Sequence, residues 1–299
     1  MIFDSYIITG TTASGKSDFA HNIAKKINGV IINCDSVQIY KGIENISASP
    51  FAGLKNNTNS IDNIPYKLFS ILDLSEHLSV IDYLNLAKEE YIKAKELNKI
   101  PIFVGGTGFY INGIINGLSP IPDISEKNRV IARNMIEQDI EKAKRLTEFK
   151  FTDPQRISRA LEVLLETGKQ ISYWQNKERI KYINNTSYKI LINPDKTLII
   201  ERIKKRIKEM LNSGAIEEAK NILNSNFDIK RAIGAKELTD YLLNKITKEE
   251  CIKLWETNTI KYAKRQRTWF RTQFHPDFII NKIPKDEDID IILNNNQIS

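Results

Sequence analysis

The sharpest chemical signal in the chain is Gly10-Thr11-Thr12-Ala13-Ser14-Gly15-Lys16-Ser17, a G-x-x-x-x-G-K-S spacing directly after the strand-like run Tyr6-Ile7-Ile8-Thr9. Glycines at this spacing let backbone N–H groups turn inward around an anion. Lys16 adds a mobile positive charge, and the Ser17 hydroxyl suits Mg²⁺ held beside phosphates. Residues 18–26 read as a helix whose N-terminus points at the same anion. A chance glycine turn would lack this strand-before, helix-after context. The motif implies phosphate binding without choosing a reaction, because kinases, ATPases and transferases of other groups all use it.

Further groups bear chemistry. Asp35 ends a second apolar run, Gly29-Val30-Ile31-Ile32-Asn33, and precedes Ser36-Val37-Gln38-Ile39-Tyr40. It reads either as a helix cap or Mg²⁺-shell residue, or as a general base within reach of an acceptor; spacing alone does not choose. Gly105-Gly106-Thr107-Gly108 follows a third run, Ile100 to Val104, at the place where a phosphate-loop ATPase carries a metal-associated acid. No acid stands there, which weakens simple ATP hydrolysis. A threonine in such a turn suits hydrogen bonding to a closely approaching substrate, with a purely structural turn as the alternative.

Two basic clusters follow. Asp153-Pro154-Gln155-Arg156-Ile157-Ser158-Arg159 opens a helix, with Arg156 and Arg159 on one face and Gln155 free to read a base edge, unless the cluster is only a solvated turn. Lys261 to Arg271 mixes Lys261, Lys264, Arg265, Arg267 and Arg271 with Tyr262, Trp269 and Phe270. Cations and aromatics interleaved on a helix suit a nucleic-acid backbone, with Ile260, Ala263, Phe270 and Phe274 packing inward.

The elements that must position these groups alternate strand and helix. Helical spacing of Tyr83, Leu84, Ala87, Tyr91 and Ala94 marks a helix between the second and third strands. The pattern predicts an α/β fold with a parallel sheet whose carboxyl rim carries the phosphate loop, Asp35 and Thr107. Residues 52–64, including Asn56-Asn57-Thr58-Asn59-Ser60, read as a mobile loop. After Pro120 and Pro122 the character changes, and residues 125–148 read as one charged helix. Lys189 to Ile192 returns as a strand. The remainder reads as helices over 198–212, 216–224 and 247–274, with an Asn-rich frayed tail after Asp290.

Composition limits the function classes. The 299 residues and 41% hydrophobic content are enough for a substantial core, no apolar run approaches the length of a membrane span, and the N-terminus lacks the basic, apolar and small-residue order of a signal peptide. A cytoplasmic location is the default expectation. Cys34 and Cys251 are the only cysteines, too few for a disulfide scaffold or zinc module, and are expected as reduced thiols; His21, His77 and His275 are scattered rather than clustered. The net charge of +7 hints at nucleic acid, but its distribution matters more than its sum.

Taken together, six segments in order resemble the tRNA dimethylallyltransferase (tRNA isopentenyltransferase) family: Gly10 to Ser17; Asp35 to Gly42; Val104 to Tyr110; Asp153 to Val163 with Thr167-Gly168; Ile233-Gly234-Ala235-Lys236-Glu237; and Tyr262 to Arg271. The resemblance covers most of the chain. It implies a P-loop NTPase-like parallel sheet flanked by helices, formed by residues 1–117 and 186–299 with a basic helical C-terminal part. A mainly helical insertion at 118–185 would contact tRNA.

The implied reaction moves a dimethylallyl group from its diphosphate to N6 of the adenosine 3′-adjacent to the anticodon, in tRNAs reading codons that begin with U. Residues Gly10 to Ser17 and Arg206 would then hold the diphosphate, with Ser17 on Mg²⁺. Asp35 would act as general base, and Thr107 would bridge the reactants. Ser36, Val37, Gln38, Arg129, Gln155, Arg156, Ile157, Ser158, Arg159, Lys264, Arg265 and Arg267 would contact the tRNA anticodon stem-loop, the target base leaving its stack. The implied enzyme is a monomer with no membrane partner.

Thr11 departs from the family's proline, Tyr66-Lys67 from a histidine-rich pair, and Ala235 from an aromatic residue. Rival readings are an isopentenyltransferase of free adenine nucleotides, a nucleotide kinase, and a non-catalytic RNA-binding module. The two basic clusters favour tRNA over free nucleotides.

Overall fold

The computed structural model describes residues 3–54, 59–148 and 153–297, and forms two compact units, 1–115 with 182–299, and 116–181. In chain order the first unit begins with β1 (Ser5–Gly10), α1 (Lys16–Ile27), β2 (Gly29–Asn33), β3 (Ser60–Ile61), β4 (Ile64–Lys67), α2 (Val80–Glu96), β5 (Ile100–Gly105) and α3 (Gly108–Asn116). The second holds α4 (Glu126–Gln138), α5 (Ile140–Thr147), α6 (Pro154–Thr167) and α7 (Ile171–Gln175). The first unit resumes with β6 (Ser187–Ile192), α8 (Lys196–Asn212), α9 (Ala215–Leu223), α10 (Ala235–Leu242), α11 (Lys248–Gln273), β7 (Phe278–Ile280) and α12 (Asp286–Gln297).

The strands form one sheet in the order β3-β4-β2-β5-β1-β6-β7, parallel except for the β3–β4 pair. β1 lies inside it, with Tyr6 opposite Ile102 on one side and Tyr188 on the other. All residues of β1 and β2 are buried. That is the condition of a parallel strand covered on both faces, and it explains why these strands read as unbroken apolar runs. One face packs on α1 through Phe19, Ala20, Ile23 and Ala24.

Three expectations are corrected. Residues 125–148 form two helices, because Asp139 turns out of helical geometry and its side chain accepts from Lys142 N at 2.9 Å, capping α5. Residues 60–67 form a short antiparallel hairpin rather than loop, while Asn56, Asn57 and Thr58 lie outside the described residues. The chain after Asp290 is helical through Gln297: Ile289 and Ile292 are fully buried in the main core, and Asn22 and Lys26 on α1 bind Asp286 and Asp290.

The unit 116–181 has a core of its own, Ala132, Ala143, Ile157 and Leu161, with a second cluster of Ile124, Ala160, Val163 and Ile171. Asp153 caps α6 by accepting from Gln155 N and Arg156 N, with Pro154 in the first turn. Thr167 ends the same helix before Gly168 takes the left-handed conformation, φ 64°.

Candidate active site

The phosphate loop hangs from the end of β1, and its backbone is fixed from outside. A Cβ on Gly10 would lie 2.5 Å from Ile192 O, so only glycine fits beside β6. Gly15 has φ +89° and starts α1; Ala13 holds φ +63°, uncommon for a residue with a Cβ. Supporting bonds come from α8, from α11 and from the loop's own Lys16. Arg202 Nε donates to Ala13 O at 2.8 Å, Arg206 Nη1 to Thr12 Oγ1 at 3.2 Å, and Lys16 Nζ to Thr11 O at 3.3 Å. Thr12 N donates to Gln266 Oε1 at 2.8 Å.

This loop gathers positive charge at a cost. Burial lowers the Lys16 pKa to about 8, the nearby Asp35 carboxylate opposes that shift, and Arg206 adds to it. Burial and the neighbouring Arg202 likewise lower the pKa of Arg206, which stays charged. The hydroxyls of Thr11 and Ser14 are buried with no hydrogen-bond partner among the described residues. Crowded cations beside unsatisfied donors form a site whose energy falls when an anion enters.

The loop faces a cavity of about 880 Å³ whose walls include Lys16, Ser17, Asp35, Arg202, Arg206 and Tyr262. Asp35, at the end of β2, is held by its own turn: its N–H donates to Asn33 Oδ1 at 2.8 Å and its Oδ1 accepts from Val37 N at 2.9 Å. Asn33 anchors the turn further, donating to Asp35 O and Leu68 O, both at 2.9 Å. Thr107, at the end of β5, donates its N–H to Cys34 O at 3.1 Å, while its Oγ1 accepts from Ser36 N at 3.0 Å. Asp35 and Thr107 are therefore on adjacent strand ends tied to each other. Burial pushes the Cys34 thiol up to about 12, and its Sγ accepts from Tyr83 Oη at 3.0 Å, so this cysteine is unreactive packing.

The glycines after β5 are packing devices. A Cβ on Gly105 would meet the Cys34 backbone at 2.2 Å, on Gly106 the Gln266 Nε2 at 2.3 Å, and on Gly108 the Trp269 ring at 2.5 Å. Gly234 is explained in the same way: φ +101°, with Trp255 2.4 Å from a Cβ. Glu237 accepts from Gly234 N at 2.9 Å and from Asn258 Nδ2 at 2.6 Å, locking α10 to α11.

The residues expected on RNA are placed unevenly. Ser36, Val37 and Gln38 line the cavity, and Gln38 Nε2 donates to Ser47 O at 3.1 Å and Ala48 O at 2.9 Å. Lys264 and Arg265 are exposed on α11, and Arg265 also borders the cavity. Arg267 is half-buried and donates to Pro194 O at 2.6 Å, an internal contact that tethers β6's exit. In the other unit Arg129, Gln155 and Arg156 are exposed, Ser158 and Arg159 half-buried, and Arg159 pairs with Glu162 at 3.1 Å. The Ile157 side chain is fully buried in that unit's core, so it is not a surface contact.

Sequence reasoning missed Arg202, Tyr262 and Gln266 as site residues. Burial pushes the Tyr262 phenol above its ordinary range, and the neighbouring Gln266 and Thr107 side chains oppose that shift. The departure at Tyr66 also has a local account, because its hydroxyl meets His21 Nδ1 at 2.8 Å while His21 Nε2 meets Asp62 at 3.2 Å.

No group of three or more His, Cys, Asp or Glu among the described residues is placed to hold a metal ion. Ser17 and Asp35 instead offer hard oxygen donors on the phosphate cavity. That fits Mg²⁺, which binds through one or two protein oxygens and takes its other ligands from water and phosphate.

Comparison with known proteins identifies the family. The family model described as IPP transferase matches residues 38–273, and the isopentenyl transferase model matches residues 3–61. A tRNA dimethylallyltransferase of Rickettsia bellii is 38% identical over 281 residues, 89% of this chain and 87% of its own length. One from Wolbachia pipientis subsp. Culex pipiens is 39% identical over 291 residues, 92% of this chain and 94% of its own. Among solved structures, the tRNA isopentenylpyrophosphate transferase of Bacillus halodurans superposes with a TM-score of 0.69 at 28% identity, covering 98% of this chain and 96% of that one. A eukaryotic dimethylallyltransferase acting on tRNA gives 0.76 at 25% identity, covering 98% and 79%. A family model spanning most of the chain, and relatives matched nearly end to end, establish that this chain belongs to the IPP transferase family.

Proposed function

We propose that this chain transfers the dimethylallyl group of dimethylallyl diphosphate to N6 of the adenosine 3′-adjacent to the anticodon, releasing diphosphate. The observation that carries this reading is that one cavity holds both the cationic phosphate loop and the Asp35 carboxylate. A leaving group needs the first, and a weak amine nucleophile needs the second.

In the reaction the allylic C1–O bond breaks and a C1–N6 bond forms. The N6 proton passes to Asp35, whose backbone-held turn fixes the carboxylate's direction. Lys16, Arg206 and the loop amides stabilise the negative charge that the electron pair of the broken C1–O bond leaves on the departing diphosphate. Mg²⁺, held by Ser17 and diphosphate oxygens, would supply further charge neutralisation. Thr107, tied to the Asp35 turn through Ser36 N, orients the acceptor beside the base. Exposed cations on α11 and, in the other unit, at the start of α6 each support contact with RNA; the acceptors in this reading are tRNAs reading codons that begin with U. All of the reactive groups come from one unit of one chain, which supports action as a monomer, and the bacterial relatives named tRNA dimethylallyltransferase support a cytoplasmic location.

The test is mass spectrometry of unmodified anticodon stem-loop RNA after incubation with the protein, Mg²⁺ and dimethylallyl diphosphate. A dimethylallyl mass gain on the adenosine 3′ of the anticodon is expected, and Asp35→Ala should slow it by about 10²–10⁴-fold. A gain on free adenosine monophosphate alone would move the acceptor to a nucleotide. No gain on either would sink the reading.

A further inference from the structure

Gln266 belongs to α11, far in sequence from both loops it touches. Its side chain is 6% exposed, with Oε1 accepting from Thr12 N at 2.8 Å and Nε2 donating to Gly106 O at 2.9 Å. One loop presents a donor and the other an acceptor, and an uncharged amide answers both at once. Thr12 is thereby held at two points, since its hydroxyl also accepts from Arg206. Gly106 precedes Thr107, and a Cβ at 106 would lie 2.3 Å from Gln266 Nε2, so the glycine is what admits the amide. Tyr262, one helical turn earlier on the same face, lies within the influence of both Gln266 and Thr107, which oppose the upward push of burial on its phenol.

We propose that Gln266 is a positioning residue that clamps the phosphate loop to the loop carrying Thr107, fixing the distance between the leaving-group site and the acceptor site. This rests on the transfer reaction proposed above for the chemistry, but on the two hydrogen bonds alone for the clamp. Gln266 touches neither reactant; it acts through Thr12 and Gly106. The clamp also turns the Thr12 amide away from any anion, leaving the following amides of the loop for phosphate.

The clamp can be opened from either side. Gln266→Ala removes the amide, and Gly106→Ala pushes it aside while leaving residue 266 unchanged. Each single variant, confirmed folded by its melting curve, should lower kcat about 100-fold through misplacement of the reacting groups. Affinity for inorganic pyrophosphate with Mg²⁺, read by calorimetry, should weaken about tenfold in each. In Gln266→Ala/Gly106→Ala the added methyl finds space, so the double variant should be no worse than Gln266→Ala. A folded Gln266→Ala with wild-type kcat and pyrophosphate affinity overturns the clamp, as do single-variant losses that multiply in the double. If the wild-type protein transfers nothing to RNA, the reaction assignment fails, while the pyrophosphate affinities still decide the clamp.

Discussion

Lys16 sits in surroundings that oppose its own charge, and this gives the site a pH limit. Burial and Arg206 pull its pKa down to about 8, against the supporting pull of Asp35. Below that value the ammonium is present to meet the diphosphate; as pH rises through it, the free enzyme loses the charge. We therefore expect kcat/KM for dimethylallyl diphosphate to fall as pH passes about 8, with Lys16→Arg, which stays charged, lacking that limb. The limb in kcat should lie higher, because bound diphosphate raises the pKa of the ammonium it touches. A profile of Lys16→Arg that still breaks near 8 would assign the limb to another group. At this scale the sequence was legible wherever a residue acts through its own spacing: Gly10 to Ser17, and Asp35 at a strand end. It was silent on Arg202, Tyr262 and Gln266, whose partners lie far away along the chain. Gln266 in particular stands between Arg265 and Arg267, where its neighbours' charge suggests a solvated face, and only tertiary packing reveals it as buried.

Elements were readable in proportion to how completely they are buried. β1, β2 and β5 are interior parallel strands that contain unbroken apolar runs, as does the second half of the interior strand β6; the three-residue β7 and the β3–β4 hairpin are too short to carry a pattern. The break between α4 and α5 rests on a single Asp139 side-chain cap, with no glycine or proline to announce it. α12 is the instructive case, since its asparagines are poor helix formers and propensity alone leaves it frayed. Burial decides instead: Ile289 and Ile292 enter the core cluster that also holds Phe19 and Ile23 of α1, the helix whose N-terminus faces the phosphate cavity. Ile289→Ala should cost about 2–5 kcal/mol of stability, the range for emptying a fully buried isoleucine site. Denaturant unfolding measures it, and a change below about 0.5 kcal/mol, typical of surface positions, would mean that α12 is not part of the core.

At the scale of the whole molecule, the positive charge anticipated from composition is divided between two tasks. Lys16, Arg202 and Arg206 serve the cavity, Lys264, Arg129 and Arg156 lie on exposed surfaces, and the exposed Arg265 borders the cavity as well. Net charge could not separate these roles, because the sum is blind to burial. The distance between Thr12 and Gln266, 254 residues apart in sequence and joined by one hydrogen bond, bears on how the protein is born. A ribosome making about 5–20 residues per second needs on the order of ten to fifty seconds between delivering the first partner and the second. For the earlier part of that interval β1 also lacks β6 (Ser187–Ile192), its neighbour on one side. The phosphate loop thus leaves the exit tunnel early as an unfinished edge. Ribosome-bound chains stalled before α11 emerges should fail to retain pyrophosphate, whereas chains stalled beyond α12 should hold it. For this fold, translation passes through a vulnerable window in which a fully buried strand waits for its partner, and a nascent-chain chaperone has its opportunity there.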